Sequence, residues 1–181
     1  MITSDLKKTA NKGEKDKSKR IRARLLADRI EQGAALLGEF VESLSEEQWN
    51  APVAGSTTDK RPIGVIVHHV ASSYPIEVEL ARRIAGGQAI TDVTPHLVDR
   101  INAKHAETYV GVTKQTTLEL LKRNSGEAAE TVRAFTDEEL DCAAPFSLNN
   151  DAPLTAQFVI EDHAVRHSWN HLGRIRSGLR R

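Results

Sequence analysis

One cysteine, Cys142, stands among the 181 residues. A disulfide framework within the chain is therefore impossible, and a cysteine-based zinc site is excluded. Histidine and carboxylates are the only side chains left to hold a metal. Aromatic residues are scarce, at 4%, so a core must be built mainly from Leu, Ile, Val and Ala. That composition suits helix-on-helix packing better than a β-sandwich. Neither sign of charge dominates, because 25 Lys and Arg face 25 Asp and Glu. No strong generic attraction to nucleic acid is expected. No apolar run is long enough to span a bilayer, and the N-terminus lacks the apolar stretch of a signal peptide. A cytoplasmic protein without a membrane partner is the expectation. Gly-x-Ser-x-Gly, Gly-x-Gly-x-x-Gly and Walker sequences are also missing, which leaves nucleotide binding without support.

What is present is helical periodicity. Residues from Met1 to about Arg20 are polar and rich in lysine, and read as a basic flexible tail, 1–20, ahead of one domain, 21–181. From about Arg22 to Leu44, the residues Leu26, Ile30, Leu37, Val41 and Leu44 recur at three, four and seven, one stripe of an amphipathic helix. Ser45-Glu-Glu-Gln48 is a capping box for a short helix carrying Trp49. Residues 50–61 read as a loop. Pro62 suits the first turn of a second long helix that stops at Gly86-Gly87. Pro75 falls inside it, and a kink or break is expected there. Thr94-Pro95 opens a helix of about 15 residues carrying His96 and His105. Another runs from near Thr113 to about Ala134. Thr136-Asp-Glu-Glu139 is a second capping box. Residues 143–153 read as a loop, and a last helix runs from near Thr155 to near Gly178. No segment shows sustained period-two alternation. Four long helices with short connectors predict an all-α fold, a four-helix bundle.

The seven histidines are concentrated where they can act together. His163, His167 and His171 sit four apart, and each such step advances about 40° around a helix. Two imidazoles at i and i+4 can chelate one ion. Their phase places His167 and His171 with Ile160, Ala164 and Ile175, on the inward face. His163 drifts toward Asn170 and Arg174, and either supports the pair or is exposed. A third ligand is needed. The second long helix offers His68 and His69. His69 clusters with Val65, Ile76 and Leu80, whereas His68 falls among Gly64, Glu79 and Arg82 on the wetter side. His69 is the natural partner. His105 is open between a place at the cleft and a surface one. Arg166, Arg174 and Arg176 are either solvated or turned to an anionic substrate group. Cys142, beside a short turn, reads as structural or merely exposed.

Three segments carry a family resemblance: Leu44-Ser-Glu-Glu-Gln-Trp49, the helix ending in His68-His69-Val-Ala, and His167-Ser-Trp-Asn-His171-Leu-Gly-Arg-Ile-Arg176. On them the chain resembles the DinB-like family of metal-binding four-helix proteins, along almost its whole length after the basic tail. The resemblance implies one divalent ion, nickel or zinc, held by His69, His167 and His171 with positions open for water or substrate. The family includes thiol-dependent S-transferases and a mycothiol-dependent maleylpyruvate isomerase, so the fold does not fix the reaction. Activation of water or a low-molecular-weight thiol against a small electrophilic substrate is the expected chemistry. The alternative is a non-catalytic metal-binding or stress-response protein. A homodimer is the default for a helical bundle of this size.

Overall fold

The computed structural model describes residues 20–54 and 59–180. The basic segment, apart from Arg20, lies outside them, as does the Ser56-Thr57-Thr58 part of the expected loop. The elements in order are α1 (Ile21–Glu42), α2 (Glu46–Asn50), α3 (Ile63–Ala85), α4 (Pro95–Thr108), α5 (Lys114–Arg133), α6 (Asp137–Asp141), β1 (Ala143–Phe146), β2 (Ala152–Thr155), α7 (Ala156–Val159) and α8 (Arg166–Leu179). A π-helical stretch, Ile160–Val165, joins α7 to α8 into one long C-terminal helix.

Both capping boxes form as their sequences require. Ser45 accepts from the Gln48 amide, and Thr136 accepts from the Glu139 amide. Each N3 side chain reaches back to the amide of its cap, so two otherwise orphaned donors are satisfied at each start. Thr94, Thr113 and Thr155 cap α4, α5 and α7.

The four sides of the bundle are unequal to a simple up-and-down order. Helix α5 packs between α1 and α3, and the C-terminal helix closes the opposite side against both. Thus α1 and α3, consecutive long helices, lie on a diagonal. Such a crossing needs a long connection rather than a tight turn. Residues 43–62, with α2 inside them, supply it. Trp49 of α2 is buried, and its Nε1 donates to the Val112 carbonyl at 2.9 Å. A Cβ at Gly64 would sit 2.5 Å from that indole, so only glycine admits the close approach. The middle of the connection rests on α8, where a Cβ at Gly178 would strike Val53 and Ala54.

Leu, Ile, Val and Ala supply most of the core, with Trp49, Tyr74, Phe135 and Phe146 as its large aromatics. Two expectations are overturned. Residues 143–153 are not a plain loop. They contain an antiparallel ribbon pairing Ala143 with Thr155 and Phe146 with Ala152. The ribbon turns through Asn150 and Asp151 at φ 54° and 58°, a left-handed conformation that Asn and Asp tolerate. Four-residue strands with two prolines, Pro145 and Pro153, are too short to show alternation.

Pro75 does not break α3 either. A proline inside a helix removes the bond to the carbonyl four residues before it, which here is Ala71. Asn124 of α5, itself buried, donates Nδ2 to that carbonyl at 2.8 Å. The loss is repaired from a neighbouring helix. We expect Asn124→Ala to destabilise the protein by about 1–3 kcal/mol, the cost of a buried carbonyl left unpaired. Urea denaturation monitored by circular dichroism measures it. An unchanged midpoint would mean that the carbonyl finds another donor.

Candidate metal centre

The side shared by α3 and the C-terminal helix carries the histidines. His69 projects from α3, one helical face away from His68. His167 and His171 project from α8, one turn apart. A ring nitrogen from each of the three lies within 4.8 Å of the others. Ring centroids are 5.0 Å apart for His69 and His167, 5.9 Å for His69 and His171, and 5.0 Å for His167 and His171. Ligands on one ion at about 2.1 Å stand roughly 3–3.5 Å from each other. Modest side-chain rotation spans the difference. No fourth group among the described residues joins the three within that distance.

Burial sets the protonation of these rings. Desolvation, aided by the neighbouring His167 and the Arg61 cation, pushes His69 down to about 2. Desolvation, His167 and then Arg174 bring His171 down to about 3. Both are neutral at physiological pH, the form in which imidazole has a lone pair for a metal. The same depression couples stability to pH. Unfolding frees both rings to protonate near 6.5, while the folded protein keeps them neutral. Their contribution is complete above pH 6.5 and is lost as pH falls toward 3. For two groups the metal-free protein should lose about 3 kcal/mol between pH 6.5 and 5. Denaturant midpoints across that range test this; a flat profile contradicts it.

A carboxylate that the sequence reading missed orients the third ring. Glu77 of α3 is buried, and its Oε1 accepts from His167 Nδ1 at 2.5 Å. Its other oxygen has no partner among the described residues. An imidazole that donates Nδ1–H to a carboxylate has its tautomer fixed and Nε2 left as the lone-pair nitrogen. The signal was there to read. Glu77 falls at i+7, i+3 and i−4 of Val70, Tyr74 and Ala81, all fully buried. An acid inside an apolar stripe needs a partner. Tyr74 in turn bonds Ser168 at 2.6 Å through its hydroxyl, one residue beyond His167. This bond braces α8 against α3 beside the rings.

His68 departs from expectation. It is buried rather than on a wetter side. Its Nδ1 meets His105 Nε2 at 2.9 Å, and its ring stacks on Tyr109 with centroids 4.0 Å apart. Helix α4 and the turn after it cover that face of α3, which no periodicity within α3 could reveal. His105 does reach the cleft, 5.6 Å from His69 between ring centroids. Burial, with His68 and Arg61, lowers it to about 4. Ile76, expected beside His69, is instead exposed. His163 stays outside the group of three and packs edge-on against Phe146. The π-helical stretch around it shifts its phase relative to the α-helical wheel. His96 on α4 is exposed, and the Cys142 thiol donates to a local carbonyl, that of Glu138.

The profile of the DinB superfamily matches residues 29–175. The chain belongs to the DinB superfamily. No protein with a curated description matches it. Among solved structures it is similar to YfiT from Bacillus subtilis, described as a probable metal-dependent hydrolase with an unusual four-helix bundle topology. Identity is 18%, the TM-score is 0.68, and the match covers 87% of this chain and 86% of that one. At that identity the likeness establishes the DinB fold, and the diagonal placement of α1 and α3 accords with an unusual topology. No helix among the described residues of this DinB protein is long and apolar enough to cross a membrane.

Proposed function

We propose that His69, His167 and His171 hold one divalent metal ion, nickel or zinc, and that the site activates water or a low-molecular-weight thiol against a small electrophilic substrate. The observation that carries this reading is the gathering of three imidazole nitrogens from two helices within 4.8 Å. The donor set fits the ion. Burial keeps His69 and His171 neutral, and Glu77 presents His167 in one tautomer. Membership of the DinB superfamily and the metal dependence ascribed to YfiT support it.

A bound divalent ion supplies Lewis acidity, which makes a water or thiol on it acidic enough to be nucleophilic near neutral pH. The chain's own residues supply position. Imidazoles ligate a metal in their neutral form and add no charge to the site. Arg61, Arg174 and Asp59 bear on the His171 ring, and Glu77 holds His167. A divalent ion held by three neutral donors would favour a hydroxide or a thiolate over its neutral parent. Hydrolysis and thiol transfer both follow from such a nucleophile.

The direct test is turnover by zinc- and nickel-loaded protein with a panel of thiols and electrophilic co-substrates, and of small esters and amides with water. Activity should follow metal content and vanish in His69→Ala. Full activity in metal-free protein would overturn the reading.

A further inference from the structure

The connection that ends at Pro62 carries an arginine that structural roles do not exhaust. Arg61 donates Nε and Nη2 to Asp59 Oδ1 and Oδ2, each at 2.8 Å. Asp59 is also approached by Arg174 Nη2 at 3.7 Å, and Arg174 lies three residues after His171 on α8. The connection thus docks along α8, through Asp59 at the turn that follows His171 and through Val53 farther on at Gly178. The remaining nitrogen of Arg61, Nη1, is buried and has no hydrogen-bond partner among the described residues. Through Asp59, Arg61 is held beside the turn of α8 that follows His171. A guanidinium held on one edge by a bidentate carboxylate has a fixed plane, so its free edge points in a defined direction. A buried N–H pair left unpaired is costly unless a ligand takes it.

Resting on the metal reading above, we infer that Arg61 Nη1 is the anchor for an anionic group, a carboxylate, on the substrate or thiol that the metal centre receives. Asp59 clamps the far edge of the guanidinium, and Arg174 adds a second cation at the rim. The carboxylate binds to the protein while the other end of the same small molecule reaches the centre. Arg61 then selects for acids over neutral molecules of equal length.

Cobalt-loaded full-length protein reports the outcome through its visible absorption, which changes when a thiolate joins the ion. The probes are straight-chain mercaptocarboxylates of two to six carbons and the mercaptoalcohols of the same lengths. Wild type should bind the acids more tightly than the alcohols at chain lengths too long to chelate one ion. Arg61→Gln should lose about 10- to 100-fold for the acids, the scale of a buried hydrogen bond to a charge. Its affinities for cobalt and for the alcohols should stay within about threefold of wild type. Arg61→Lys, which keeps the charge without the fork, should fall between. Equal binding of acids by wild type and Arg61→Gln overturns the inference. So does an equal loss for acids and alcohols, the mark of a purely structural arginine. Should Arg61→Gln lose its helical circular dichroism, the wild-type ladder decides, since no preference for the longer acids rejects the anchor. Failure of cobalt to bind wild type at all would reject the metal reading itself, and the anchor with it.

Discussion

His171→Ala should bind zinc and nickel more weakly than wild type by well over about 100-fold, beyond the cost of losing an outer partner of a ligand. The ring is buried on α8 and contributes one of the three nitrogens that lie within 4.8 Å of one another. Two imidazoles remain, too few for a tight catalytic-type site. The fold should survive, because the ring has no hydrogen-bonded partner among the described residues whose charge would be stranded. Equilibrium dialysis with metal analysis measures the affinity, and thermal melting of metal-free protein measures the fold. Retention of one metal per chain at wild-type affinity would place the ion elsewhere.

Replacing Glu77 should weaken both the fold and metal binding. The carboxylate is buried, pairs with His167, and leaves Oε2 unpartnered among the described residues. Glu77→Leu removes one partner of a buried pair and leaves His167 Nδ1 without its acceptor, a change that costs about 1–3 kcal/mol. The metal-free variant should melt below wild type. The same change frees the His167 tautomer and ring orientation, so zinc affinity should fall by about 10- to 100-fold. Glu77→Gln keeps an acceptor for Nδ1–H and should lose less. Calorimetric titration of zinc, beside melting curves of the metal-free proteins, tests both halves. A Glu77→Leu protein that is destabilised but binds zinc as wild type does would mean that the acid is structural.

The sequence made the long helices readable because burial repeats at the helical period in α1, α3, α5 and α8. Spacing on the last helix set His167 and His171 one turn apart, and their ring nitrogens do lie within 4.8 Å of one from His69. Phase fails where a neighbour outside the helix decides burial. His68 looks wet on its own helix and is covered by His105 and Tyr109 from another. Pro75 looks like a break and is tolerated because Asn124, 53 residues along the chain from Ala71, donates to the freed Ala71 carbonyl. His163 is displaced by a π-helical stretch that nothing in its local sequence announces. Glu77 and Arg61 are the instructive omissions. Glu77 was readable as an acid in an apolar stripe, but its partner lies 90 residues on. Arg61 sits in a connection without periodicity, and only the docking of that connection on α8 brings its cation to the rings.

X-ray absorption at the edge of the bound metal, on protein loaded with zinc or nickel, probes the centre itself. The expected spectrum shows three imidazole nitrogens at about 2.0–2.1 Å, reduced in number in His69→Ala. A full-length protein with native helicity that binds no stoichiometric metal, or whose metal has a nitrogen shell unchanged in His69→Ala, would contradict a centre built by these three histidines.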